Sequence, residues 1–315
     1  MNSPNRSLKK LKYVFSLVVM AAFAATAHSQ KVDDAYTLKT FDISSPQLDI
    51  STAGGYINVI GHDKDNVRVE MYVRKSGKYL SASDTELEDY EIDISASGNE
   101  VTASAGRRNS SGIKFWNNSN SYSISFVVYT PERSMVTGRT SGGSMKAENI
   151  SGTLDFTTSG GSISLSSISG DINARTSGGS LNFENLNGNV NGRTSGGSIR
   201  VLNAQGELDL RTSGGSVKLD EVAGIVNART SGGSIQAISK SESCSLDLST
   251  SGGNISITLP DNSGYELDLK GNRVSTTFTE FSGEVEKNRV IGTIRGGGPK
   301  IAARTSGGSV RLNYN

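Results

Sequence analysis

Apolar and small residues along the chain fall into short runs with a spacing of two, and the runs change parity at fixed points. In the stretch Asp171–Gly188 they occupy Ile172, Ala174 and Thr176, then Leu181 and Phe183, then Leu186. A spacing of two is the alternation of a strand with one buried face. A strand cannot switch its buried parity without a bend. The first switch falls on Ser177-Gly178-Gly179, the second on Glu184-Asn185, and a third turn on Asn187-Gly188. Glycine enters such corners at little steric cost. Three corners in so short a stretch predict strands of about three to five residues and leave no room for a helix.

The same skeleton returns at a fixed interval. The threonine of Arg-Thr-Ser-Gly-Gly-Ser recurs at Thr140, Thr158, Thr176, Thr194, Thr212 and Thr230, with the same step from each copy to the next. A looser copy follows at Thr250, slightly later than the step requires, and an intact one stands at Thr305. A strict short period marks a repeat architecture. Stacked at about 4.8 Å per rung, the copies pair each backbone with the rungs above and below and turn the alternating positions into apolar ladders. Each copy runs in the same chain direction, and no two-residue Asn-Gly or Asp-Gly hairpin separates them, so the coil is parallel. A propeller blade needs roughly 40 residues and is excluded. The predicted fold is an all-β parallel β-solenoid with 18-residue rungs.

The flanking regions are degenerate. Leu48, Ile50, Thr52, Ile57 and Val59 carry the rung spacing, and Ile92, Ile94, Ala96, Val101 and Ala103 repeat its arithmetic. Val67, Val69, Met71 and Val73 mark an extra strand. Residues 30–135 are therefore read as an N-terminal β cap built of degenerate rungs, because a terminal rung must hide its edge. Residues 136–315 are read as the regular repeats, with an irregular insertion near 272–298. Ile301, Ala303, Thr305, Val310 and Leu312 form a last rung just before the chain ends at Asn315. Its edge is expected to lie open for self-association.

Residues 1–29 read as a signal peptide: Lys9, Lys10 and Lys12 precede an apolar run, Val14–Ala25, and small residues follow at Ala27 and Ser29. An exported bacterial protein follows, periplasmic, cell-surface or secreted. Later stretches are too short and polar to span a membrane. A net charge of +1 with 20% charged residues argues against both disorder and nucleic-acid binding. Cys244 is the single cysteine, so no intramolecular disulfide forms.

Catalytic chemistry finds little support. His62 stands in an Asp/Lys-rich turn, no Gly-x-Ser-x-Gly elbow is present, and Ser111-Gly112-Ile113-Lys114 lacks its companion motifs. The Ser-Gly-Gly-Ser corners precede strands and lack the lysine of a phosphate loop. No His/Cys cluster predicts a metal, and no cofactor is expected. The outstanding feature is an outward arginine just before the inward threonine of most rungs: Arg139, Arg175, Arg193, Arg211, Arg229 and Arg304, with Thr157 and Ser249 interrupting the series. Such a ladder is either a solvated surface whose stems cover the sheet or, at Arg175, Arg193, Arg211 and Arg229, a cationic strip for an anionic glycan or lipid head group. Trp116, in the Ser/Asn-rich loop 107–122, is either a lid over the first rungs or a stacking platform for a sugar.

The repeated Arg-Thr-Ser-Gly-Gly-Ser, the exported N-terminus and the opening Leu48-Asp-Ile-Ser-Thr-Ala-Gly-Gly-Tyr-Ile-Asn-Val59 together resemble the bacterial adhesin-type β-strand-repeat family known as domain of unknown function 4097, over roughly Phe41–Leu312. The resemblance implies a right-handed β-helix-like domain of the cell envelope and supplies no catalytic residues. The functional expectation is a non-enzymatic surface for adhesion or envelope interactions. The alternatives are a β-helix that binds or cleaves acidic polysaccharide and an envelope-stress scaffold whose partner is a protein.

Overall fold

A computed structural model describes residues 35–108, 121–278 and 280–315. The signal-peptide reading and Trp116 lie outside these residues. Eight strands precede the regular stack: β1 (Thr37–Phe41), β2 (Gln47–Thr52), β3 (Ile57–His62), β4 (Val67–Lys75), β5 (Lys78–Leu80), β6 (Tyr90–Ser97), β7 (Glu100–Arg107) and β8 (Ser123–Pro131). The stack itself comprises β9 (Met135–Thr140), β10 (Met145–Thr158), β11 (Ile163–Arg175), β12 (Leu181–Arg193), β13 (Ile199–Arg211), β14 (Val217–Thr230) and β15 (Ile235–Ser239). Beyond it come β16 (Ser245–Thr250), β17 (Ile255–Leu259), β18 (Tyr265–Lys270) and β19 (Arg273–Ser275). β20 (Phe281–Val285), β21 (Arg289–Ile294), β22 (Lys300–Thr305) and β23 (Ser309–Tyr314) complete the order. No helix occurs among the described residues.

In the stack each rung pairs in parallel with the next. Ile163 faces Leu181, Leu181 faces Ile199 and Ile199 faces Val217, the same one-rung offset each time. The inward columns become dry ladders, such as Leu165, Phe183, Val201 and Leu219. Their volumes compensate locally. A side chain on Gly192 would strike Phe183 and Leu210 at 2.9 Å, and one on Gly138 would strike Phe156 at 2.8 Å. Close packing requires such pairing of large with absent side chains.

All three corners are present, but they differ from the expectation of short separate strands. Only the Ser-Gly-Gly corner ends the strand; the second corner drops a single residue from the pairing and the third none, which is why β10–β14 run for 13 or 14 residues. The second corner is a single left-handed residue, Asn149, Ser167, Asn185, Asn203 or Glu221, with φ between 54° and 57°. The pairing skips this residue and resumes. The third is a glycine at positive φ, Gly152, Gly170, Gly188, Gly206 or Gly224.

The Ser-Gly-Gly corner is held by its threonine. The buried hydroxyl of Thr194 donates to the carbonyl of Gly179 on the preceding rung at 2.7 Å and accepts from the N–H of Gly197 on its own rung at 3.3 Å. Thr176, Thr212 and Thr230 repeat both bonds. Each threonine thus satisfies two polar backbone groups that the corner takes out of the sheet, where an orphaned group costs about 1–3 kcal/mol. The serine that follows adds a second ladder: Ser198 N–H donates to Ser180 Oγ at 3.2 Å, and Ser216 N–H to Ser198 Oγ at 3.3 Å. The two glycines are unequal. A Cβ on Gly179 would sit 2.0 Å from the Gly161 carbonyl oxygen, whereas on Gly178 its nearest contact is 3.5 Å.

At the ends, order in space departs from order in sequence. The rung β2–β3 lies between β9–β10 on one side and β7 and β8 on the other. Beyond it β6 pairs antiparallel with β7, and β4 pairs antiparallel with β8 and β1. The Ile92–Ala103 stretch is therefore a hairpin and not a rung: the chain reverses at Gly98, which lies at φ 61°. At the other end β22–β23 lies between β16–β17 and β18–β19. This corrects the expectation of an open C-terminal rung. β22 is paired on both edges, and β23 is paired from Val310 to Tyr314 on one edge and from Ser309 to Arg311 on the other, so most of the last rung in sequence is already an interior one. The outer side of β18 is closed by the antiparallel hairpin β20–β21, which occupies the predicted irregular segment.

Candidate functional site: the arginine-bearing face

The strand that leads into each Ser-Gly-Gly corner presents one flat outward face. Alternation puts Arg175, Arg193, Arg211 and Arg229 outward, each directly across from the next in the register. The column extends through Arg139 and Thr157 at one end and through Ser249, Arg304 and Lys270 at the other. Two residues earlier on each strand stands a second outward column, Asp49, Thr137, Asp155, Asn173, Asn191, Asp209, Asn227, Asp247, Ala302 and Asp268.

The acids of the second column meet the cations of the first. Arg139 reaches Asp49 at 3.2 Å, Arg229 reaches Asp247 at 3.2 Å, and Arg304 pairs with Asp268. Asp209 serves two arginines, Arg193 at 3.4 Å and Arg211 at 3.1 Å. Arg175 is exposed and has only Asn173 beside it on its strand. Its neighbour Asp155 is bonded to Asn173 Nδ2 at 3.0 Å instead. The strip is thus most cationic from Arg175 to Arg211, where Asp209 pairs with Arg193 and Arg211 and no carboxylate is bonded to Arg175. These pairs are exposed, so each contributes little to stability, and their arrangement bears mainly on what the face can bind.

A depression of about 220 Å³ interrupts the face between β14 and β22. It lies where Ala302 replaces the polar residue of the second column. Nothing in the sequence periodicity places it, because its two walls are brought together by the out-of-order insertion of β22.

A second polar cluster, on β4 and β8, escaped the sequence reading. Glu70 is 1% exposed, 3.1 Å from Arg68 Nε, and accepts a hydrogen bond from the Tyr72 hydroxyl at 2.8 Å. The Arg68 guanidinium lies 4.1 Å above the Tyr129 ring. Burial, and then the bond to Glu70, push the Tyr72 hydroxyl well above the ordinary tyrosine range. The half-buried ion pair and the guanidinium over the Tyr129 ring are arranged as packing. His62 is likewise turned to a local use, its Nδ1 accepting from the Lys64 N–H at 3.0 Å. Burial raises the Cys244 thiol above its usual range, which leaves it a poor nucleophile. Among the described residues no group of three or more His, Cys, Asp or Glu is placed to hold a metal ion. No helix among them is long and apolar enough to cross a membrane.

Three solved structures resemble the chain at low identity. A putative adhesin of Parabacteroides merdae is 13% identical with a TM-score of 0.48, over 88% of this chain and 95% of that one. A putative adhesin of Bacteroides fragilis is 12% identical with a TM-score of 0.42, over 89% and 96%. A putative lipid binding protein of Parabacteroides distasonis is 14% identical with a TM-score of 0.39, over 89% and 96%. No curated protein matches the chain. The model of one family, Toastrack, DUF4097, matches residues 45–313. With that match running from β2 through the regular stack into the out-of-order last rung, the chain belongs to the Toastrack family, DUF4097.

Proposed function

We propose that this is an exported, non-enzymatic protein of the cell envelope, a right-handed β-solenoid with an N-terminal cap over residues 30–135, whose arginine-bearing face binds an extended acidic glycan. The observation that carries the reading is the exposed, in-register column Arg175, Arg193, Arg211 and Arg229, with Asp209 the single carboxylate bonded to its second and third members. A column that repeats with every rung, about 4.8 Å apart, suits a ligand that itself repeats. Guanidinium forks match carboxylates better than lysine does. The monotony of the columns from Arg175 to Arg229 favours binding over cleavage.

The test is retention on immobilised polygalacturonate, with dextran as the neutral control and anionic phospholipid vesicles as a parallel arm. Binding to the polyuronate is expected to weaken steeply as salt rises. It is also expected to fall by about tenfold or more when Arg175, Arg193, Arg211 and Arg229 are changed together to Ser. Unchanged binding in that variant would refute the role of the column. Retention on vesicles alone would move the assignment to lipid head groups.

A further inference from the structure

The arginine-bearing face is regular from β11 to β14 and is then interrupted by a splice. β16 joins β14 at an offset longer than the rung period, with Ile225 across from Ser245, and β22 then joins β16 from far downstream, with Leu246 across from Ile301. Two side chains break the columns here. Ser249 stands in the arginine column, and Ala302 stands where Asn173, Asn191, Asp209, Asn227 and Asp247 stand on other rungs. The missing side chain opens the depression of about 220 Å³. Its apolar part is the buried methyl of Ala302 and the side chain of Ile225, which is 55% exposed on an otherwise polar face. Its polar part is Asn227, Ser245 and Asp247 on one side and Lys300 and Arg304 on the other.

The charges around it are unequal in their commitments. Asp247 is tied to Arg229, and Arg304 is tied to Asp268. Lys300 has no ion pair among the described residues; the acid across the register from it is Glu266 on β18, which does not line the depression. What remains for a ligand is one ammonium, one apolar step and three hydrogen-bonding side chains, Asn227, Ser245 and Asp247. A ring with one apolar face, several hydroxyls and a single carboxylate matches all three.

We propose that this depression is a subsite for one uronic-acid residue, its carboxylate on Lys300, its ring face on Ile225 and Ala302, and its hydroxyls on Asn227 and Asp247. The assignment rests on the reading of this face as a glycan-binding surface and names the residue type that would anchor the polymer there.

Titration of the purified protein with methyl glucuronide and methyl glucoside, followed by saturation-transfer NMR, tests it. The glucuronide is expected to bind about tenfold more tightly than the glucoside, as a charged hydrogen bond warrants. Lys300→Ala should erase that preference. Ala302→Asn, which installs the residue found at the same position on three other rungs, should abolish binding of both sugars with an unchanged melting temperature. Equal affinity for the two sugars, absence of binding, or binding that survives Ala302→Asn in the folded variant would each overturn the proposal. If polygalacturonate retention depends on the four arginines but is indifferent to Ala302→Asn, the subsite fails and the face stands. If the monosaccharide binds as described while retention ignores the arginines, the column fails and the subsite stands.

Discussion

The regular middle of the molecule and its two ends solve the same problem by opposite means. From β10 to β14 every rung is the sequence neighbour of the rung it pairs with, and each carries the same threonine bonds and glycine corner. At the ends the chain leaves sequence order: β2–β3 and β22–β23 are slotted between other rungs, and antiparallel strands finish the sheet. The difference teaches that periodicity fixes how a rung stacks but not where the stack stops. An exposed edge of unpaired N–H and C=O groups invites association. Folding the terminal segments back makes the last rung in sequence an interior one and leaves antiparallel strands outermost, β1 and β6 at one end and β20 at the other.

Deletions should separate the two regimes most sharply. Removing Asp171–Gly188, one full repeat unit of the middle, keeps every corner in phase. In a stack whose rungs touch only their neighbours it should lower the melting temperature by only about 2–5 °C. Removing the equally long segment 298–315 strips β22 and β23 from between four strands. That loss should abolish cooperative thermal unfolding of the C-terminal part; equal losses in the two deletions would contradict the distinction.

Within the middle, the two corner glycines provide a finer comparison. Gly179→Ala forces a methyl onto a carbonyl 2.0 Å away, whereas Gly178→Ala places one at ordinary contact distance. Urea unfolding should give a loss of roughly 3 kcal/mol or more for the first and less than about 1 kcal/mol for the second.

The smallest effect is alkaline. Burial raises the ionisation of Cys244, Tyr265 and Tyr314 near the C-terminal end and of Tyr72 near the N-terminal end. In each the neutral form is favoured, so the folded value lies above the unfolded one, about 8.5 for Cys and 10 for Tyr. Their stabilisation is intact below those values and is lost as pH rises through the raised ones. The melting temperature should stay level from pH 6 to 8 and decline above about pH 9. Limited proteolysis at pH 10 should cut the ends before residues 145–230. Cleavage in the middle first would place the weak point elsewhere.

Much of the fold was legible because the repeat is printed in the residues. The inward set Ile172, Ala174, Thr176, Leu181, Phe183 and Leu186 is buried as the alternation requires, and the three corners fall on Gly178–Gly179, Asn185 and Gly188. The arginine column was legible for the same reason. What could not be read was everything that joins distant segments. Ile92–Ala103 has the spacing of a rung but folds as a hairpin, since a period of two is common to both and only the turn at Gly98 decides. The sharing of Asp209 by Arg193 and Arg211 depends on side-chain reach between rungs. The threonine's twin bonds have a sequence signal, the constant Thr-x-x-Gly spacing, but burial alone would give the same inward threonine.

Sequence by itself determined the rung: its length, its inward face and its corners, because each follows from local alternation and from glycines within a few residues. Tertiary structure alone decided the order of rungs at the ends and hence the depression at Ala302. The physical reason is that any rung of the right spacing can pair with any other. Which one fills a given edge is settled by how the whole chain folds back on itself, not by residues near the edge.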